Sequence, residues 1–429
     1  MAIITQKSLF CWNDLQNIGD LKRLKYVLEN LPDDKIINYL TAQRGKGRND
    51  YPIIAIWNSI LAGIVFQHES IESLRRELLR NDRLREICGF DPLLPAETVV
   101  PKPRNYTRFL KNLMKISHLI QEMFDLLVDQ IKEVLPDFGN YLAHDGKAIQ
   151  TFAKQKRNGY LSRDGRRDVD ANVGIKEYKG VDKDGRLWKH TKTWFGYKLH
   201  LIIDANYELP VAFELTKATV AEPPKAHELI DYLEENHPQI LNDAEYFTSD
   251  RGNDDGKLIN KLWRKHQIKP IIDIRNLWKD PDGTRGLSNG ANVIYNYKGD
   301  VFCVDPKHGD FKTMSYGGFE KDRNALKYRC PHQHCGVDCK GTDECSVYAN
   351  KYVRISLKED SRIFTPVARS SYKWKKLYKK RTAVERVNSR IDYVFGFEKH
   401  FIRGQKKMKI IFDIPAEPYE DQSRNDTVL

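Results

Sequence analysis

The chain has 429 residues, 40% hydrophobic and 30% charged, which calls for more than one core and excludes both a membrane-embedded and a disordered protein. Its 71 Lys and Arg outnumber 59 Asp and Glu, leaving a formal charge of +12 that favours an anionic partner. The longest apolar stretch, Ile53 to Phe66, is interrupted by Asn58 and Ser59 and is shorter than the ~20 residues that span a bilayer. The start, MAIITQKSLFCWND, lacks the pattern of a secretory leader, so the expected location is cytoplasmic.

Apolar spacing predicts helices through the first ~135 residues. Leu21, Leu24, Val27, Leu28 and Leu31 recur at three and four, as do Ile71, Leu74, Leu78 and Leu79, and the run from Leu110 to Leu127. The proline-rich GFDPLLPAETVVPKPRN between them reads as a loop. At Phe138 the period becomes strand-like. NYLAHDGKAIQTF alternates as a strand, and after a basic loop FGYKLHLIIDANYELPVAFEL reads as two more, turning at Asn206. A helix from Lys225, a strand ending in TSDRGNDD, a helix from Asp255 and the strand IKPIIDI follow. Three antiparallel strands followed by alternating helix and strand form an α/β pattern, with ligands expected at strand ends.

The positive charge is concentrated. Residues 371–410 hold thirteen Lys and Arg against three Asp and Glu, and residues 151–200 thirteen against six. A phosphate-binding surface is the functional reading of these runs, and solvated faces the plain one. Four cysteines, Cys330, Cys335, Cys339 and Cys345, share one segment with His332 and His334. Zn2+ is a possible ligand for this group, although its C-x4-C-x3-C-x5-C spacing is not that of a paired zinc ribbon, and reduced structural thiols are the alternative.

Three acids stand out by position: Asp145 within the first strand, Asp250 at the end of the fourth, and Glu385 in the later helix KKRTAVERVNSRID. A carboxylate inside a strand's apolar alternation is costly to bury unless paired or metal-bound. Two on adjacent strands and one from a covering helix suit hard divalent cations, Mg2+ or Mn2+, and phosphodiester chemistry.

At these residues the sequence resembles the DDE transposases of bacterial insertion sequences, over residues 45 to 409. YPIIAIWNSILAGIVFQHESIESLRRELLRNDRLREICGF is similar to that family's N-terminal helical region; HDGKAI and TSDRGNDD resemble its first- and second-aspartate strands. Tyr378, Arg381 and Glu385 fit its Y-x2-R-x3-E signature, and FGFEKHFIRG its continuation. The resemblance implies a catalytic and metal-binding triad of Asp145, Asp250 and Glu385. Around it, DNA phosphate would be held by Tyr378 and Arg381 with Lys379, Lys380, Arg386 and Arg390. Where the family carries a lysine seven residues after the glutamate this chain has Asp392, leaving that contact to Arg386 or Arg390.

The implied fold class is α/β: a ribonuclease-H-like mixed sheet with flanking helices, preceded by an all-α domain and interrupted by a mainly β insertion. The expected units are a helical DNA-binding or dimerisation domain (1–135), the first part of the catalytic domain (136–275) and the insertion with its cysteines (276–370). The catalytic helix (371–410) and a disordered acidic tail (411–429) complete the chain. The implied function is a transposase that binds terminal inverted repeats in double-stranded DNA, as a homodimer associated with the nucleoid, and performs metal-dependent cleavage and strand transfer. The alternatives are a catalytically impaired DNA-binding derivative and a ribonuclease-H-like nuclease without strand transfer.

Overall fold

The computed structural model describes residues 20–44, 50–153, 168–280, 283–289, 292–394, 396–397 and 400–414. Its first part is helical: α1 (Asp20–Asn30), α2 (Asp34–Arg44), α3 (Ile53–Val65), α4 (Ile71–Arg80), α5 (Asp82–Cys88), α6 (Pro103–Leu113) and α7 (Ser117–Val134). Ser70 caps α4 by accepting from the Ser73 amide, and Asn81 caps α5 at Leu84, each satisfying an amide the helix leaves free. Residues Leu24, Trp57, Leu61, Leu74, Leu78, Tyr106 and Leu113 form the core of this part. α7 bridges two cores: Ile120 and Met123 belong to the helical one, Phe124 and Val128 to the sheet that follows.

That sheet has six strands: β1 (Tyr141–Gln150), β2 (Asn172–Val181), β3 (Leu187–Asp204), β4 (Leu209–Lys217), β5 (Tyr246–Ser249) and β6 (Lys269–Ile272). β3 is long enough to serve two sets of partners. Its first half pairs with β2, and its second half lies between β1 and β4. Over that second half the order is β4-β3-β1-β5-β6, antiparallel at β3 and parallel from β1 to β6. The stretch between β1 and β3, expected as a basic loop, therefore contains strand β2, and β3 begins at Leu187 rather than near Phe195; residues 154–167 lie outside the described residues. The ribbon escapes sequence reading because β3 is exposed from Leu187 to Thr193, on both faces, so no apolar alternation marks it.

Helix α8 (Glu222–Asn236) and the turn α9 (Gly256–Asn260) cover the sheet, burying Ala226, Leu229, Ile230, Leu233 and Leu258. α8 starts three residues before the expected Lys225. Pro223 and Pro224, which suggest a loop, occupy its first turn, where a missing amide hydrogen costs nothing.

Between β6 and the next long helix, where a β-rich insertion is expected, lie two small sheets. One comprises β7 (Arg285–Gly286), β8 (Val293–Tyr295), β9 (Val301–Val304) and β10 (Phe311–Thr313); the other β11 (Ser315–Glu320), β12 (Ala325–Arg329) and β13 (Tyr352–Ser356). They share a core that includes Val293, Tyr295, Leu326, Tyr328, Ile355 and Phe364. The buried Arg369 fastens this part to the main sheet by donating to the Ile272 and Ile363 carbonyls, and Arg362 pairs with the buried Asp254 at 2.7 Å.

The chain returns through α10 (Tyr372–Tyr378), α11 (Thr382–Tyr393) and α12 (Gln405–Asp413). Ala383, Val384, Val387 and Ile391, spaced at three and four, bury one face of α11 on the sheet. α12 passes the expected boundary at residue 410: Met408 enters the sheet's core, while Ile410 and Ile414 enter that of the helical part. The tail expected beyond it falls, from residue 415, outside the described residues. Among the described residues no helix is long and apolar enough to cross a membrane.

Candidate active site

Strand register brings the first two acids together. β1 and β5 run parallel, pairing Leu142 with Phe247, Ala143 with Thr248 and His144 with Ser249. The next residue on each strand is an aspartate, so Asp145 and Asp250 stand side by side where β5 ends, at the carboxyl end of parallel strands. Asp250 turns the chain there, its Oδ1 accepting from the Gly252 amide at 2.8 Å. His144 points into the core: it is fully buried, burial pulls it down to about 4, and its Nδ1 lies 3.5 Å from Ser249 Oγ.

A third carboxylate joins them, and it is Glu222 at the first position of α8. Asp145, Asp250 and Glu222 each bring an oxygen within 4.8 Å of the others, the one such grouping of His, Cys, Asp or Glu among the described residues. Burial raises Asp145 above the ordinary carboxylate range, with the Asp250 charge adding to it and Lys176 opposing. Burial, then the charges of Asp250 and Asp145, push Glu222 up to about 7 against Lys198 and Lys176. Sequence reading missed Glu222 because the helix was expected to begin after the two prolines; an acid just ahead of a Pro-Pro helix start was the available signal.

Glu385 is placed differently. On α11 the residues Glu385, Asn388 and Asp392 lie along one stripe, at spacings of three and four. Asn388 Nδ2 donates to Asp145 Oδ2 at 3.2 Å, and Asp392 pairs with Lys147 of β1 at 2.6 Å. Glu385 thus sits one turn from the aspartates. Its half-exposed carboxylate accepts from Arg381 at 2.6 Å and is not among the three that converge. Asp392, which stands where the related pattern has a lysine, answers a cation already supplied by the strand.

The basic run around Glu385, with the expected phosphate-binding residues in it, divides into engaged and exposed side chains. Arg386 and Arg390 both donate to Glu208 in the β3–β4 turn, Arg386 at 2.6 Å, so in the DNA-free chain both are paired with that carboxylate. Lys380 donates to Asn206 and lies over the Tyr141 ring. Tyr378 stacks on Trp374, ring centroids 4.7 Å apart, and Arg381 lies 5.9 Å from the Tyr378 ring. Lys375, Lys376 and Lys379 are exposed.

The four cysteines of the possible zinc group do not converge: among the described residues no three of their sulfurs lie within 4.8 Å of one another. Cys335 ends its short helix exposed, 3.7 Å from Ser315 Oγ, while Cys339 points at Asp305 Oδ2, 3.8 Å away. Cys330 and Cys345 are buried with Cys303 of β9, a cysteine outside that segment, in the insertion's core. Burial pushes the Cys303 thiol up to about 12, with Cys345 and Cys330 adding to it, so it behaves as a small hydrophobe.

Residues 140–412, more than half of the chain, match the family model described as Transposase DDE domain. Among solved structures the chain is similar to the piggyBac transposase in a cryo-EM synaptic complex with hairpin DNA. The identity there is 12% over 92% of this chain and 79% of that one, with a TM-score of 0.30. No curated protein matches the chain significantly.

Proposed function

The chain belongs to the transposase DDE-domain family, and from that membership we propose that it binds the terminal inverted repeats of an insertion sequence and catalyses DNA cleavage and strand transfer. The observation that carries this reading is the parallel register that seats Asp145 beside Asp250 within the matched residues. The sheet order β4-β3-β1-β5-β6 with α11 across it supports a ribonuclease-H-like catalytic domain.

The converging donors, Asp145, Glu222 and Asp250, fit hard divalent cations, Mg2+ or Mn2+: all are carboxylate oxygens within 4.8 Å of one another, where a proton or a cation offsets the like charges. Asp145 and Asp250 would hold the metal, with Glu385 as the carboxylate from the covering helix. When bound, a pair of such cations activates a water or 3′-hydroxyl and stabilises the leaving oxygen of an in-line phosphoryl displacement.

The chain's own residues orient and screen this centre. Asn388 fixes the Asp145 carboxylate, and the Lys147–Asp392 pair pins α11 against β1. Arg381 presents a planar fork suited to a phosphate, and a phosphate bound there competes with Glu385 for it. DNA would then free Glu385 to turn toward the aspartates, so that the site is completed only on its substrate. The helical part would bind DNA or a second copy, two copies acting on two ends.

The test is end cleavage on a duplex carrying the element's terminus. Asp145→Asn and Asp250→Asn are expected to abolish cleavage in Mg2+ while end binding stays within about threefold, because remote phosphate contacts persist. Cleavage at the normal rate by either variant would remove that residue from the site.

A further inference from the structure

Resting on the reading that Asp145 and Asp250 hold divalent cations for DNA cleavage, we propose that Glu222 is a ligand of the same metal centre, which therefore has four carboxylates. The plain alternative makes Glu222 a structural partner of Lys198. The geometry argues against it. Lys198 Nζ donates to the Val220 carbonyl at 2.9 Å and stands 3.8 Å from Glu222 Oε1, beyond the 2.7–2.9 Å or so of a charge-assisted hydrogen bond. Among the described residues the Glu222 side chain makes no hydrogen bond, although only 14% of it is exposed. A carboxylate so placed, with two more within 4.8 Å and Lys198 no nearer than 3.8 Å, is costly while ionised; a proton relieves that cost in the metal-free site, and a cation that displaces the proton relieves it in the loaded one.

Two glycines make the room. A methyl group on Gly146, the residue after Asp145, would stand 2.6 Å from Glu222 Oε1, and one on Gly252, two residues after Asp250, 3.3 Å from Oε2. Neither glycine has the positive φ that would itself call for glycine. What each provides is space beside an aspartate, and the two oxygens of Glu222 occupy it. The position is held from behind as well: α8 buries Ala226, Leu229, Ile230 and Leu233 in the sheet's core, so its first residue cannot drift from the aspartates. Glu222 thus approaches the centre from α8, whereas Glu385 approaches from α11.

The experiment is Mn2+ binding to the full chain without DNA, followed by electron paramagnetic resonance, beside end cleavage and thermal melting in metal-free buffer. Glu222→Gln is expected to weaken Mn2+ binding about tenfold or more and to lose cleavage, while melting at or above the wild-type temperature because one of three repelling carboxylates is neutralised. Gly146→Ala, which only pushes the carboxylate aside, should weaken Mn2+ binding in the same direction with the fold retained. Glu222→Gln that binds Mn2+ and cleaves like wild type, with Asp145→Asn deficient in both, would overturn the role of Glu222 alone. So would a lower melting temperature with unchanged Mn2+ affinity, the mark of a Lys198 partner. Wild-type Mn2+ binding by Asp145→Asn would overturn the metal site itself.

Discussion

His200 shows what burial does to an ionisable residue in this sheet. It is fully buried between β1 and β4, its Nε2 lies 3.0 Å from Thr216 Oγ1, and burial, then nearby His144, Lys198 and Lys225, pull it down to about 3. The unfolded chain takes up a proton near 6.5 where the folded one does not. Stability due to His200 is therefore complete above pH 6.5 and declines as pH falls toward 3, by up to about 1.4 kcal/mol per unit. Gln at this position does not titrate and keeps a polar group for Thr216, so His200→Gln is the test. Between pH 6.5 and 5 its urea-unfolding stability should fall less than that of wild type by roughly 1–2 kcal/mol; parallel losses would mean His200 titrates normally in the fold. The same physics made Asp145 and Asp250 legible in the sequence, since an acid within or just after an apolar strand demands an explanation. Glu222 was not legible, because its meaning comes from glycine-lined space beside strands remote in sequence.

Among the elements, α11 was legible as an amphipathic helix bearing Glu385, but its packing angle was not. Which acid faces the aspartates depends on how Ala383, Val384, Val387 and Ile391 seat on the sheet, and this seating puts Asn388, not Glu385, in contact with Asp145. The β2–β3 ribbon was illegible for the opposite reason: with both faces in water it carries no pattern of burial. Asp392 looked anomalous from sequence and is explained by Lys147, whose side chain is 9% exposed and 2.6 Å away. Asp392→Lys, which restores the residue type of the related pattern, would set two cations against each other and strip a buried lysine of its partner. The expected loss is about 3 kcal/mol in urea unfolding, with part recovered in the swapped pair Lys147→Glu with Asp392→Lys. An Asp392→Lys variant as stable as wild type would show that the pair does not hold α11.

For the molecule as a whole, the formal +12 matters through where its cations are free. The basic run around Glu385 appears uniform in sequence, but the fold divides it: Arg386 and Arg390 serve Glu208, Lys380 serves Asn206, and Lys375, Lys376 and Lys379 remain exposed. Charge counting alone would assign them all to DNA. Cations that contact phosphate displace condensed counterions, so the affinity for DNA falls with salt at a log-log slope of about −0.9 for each phosphate neutralised. Replacing Lys375, Lys376 and Lys379 by alanine together should flatten that slope by up to about 2.7. Arg386→Ala should leave the slope unchanged and instead lower the melting temperature slightly, since its guanidinium already pairs with Glu208. Titrating duplex end DNA from low to moderate salt, with each variant melted in parallel, separates the two roles. An unaltered slope in the triple variant would return these lysines to a solvated face, and a flatter slope in Arg386→Ala would mean that DNA draws this arginine away from Glu208.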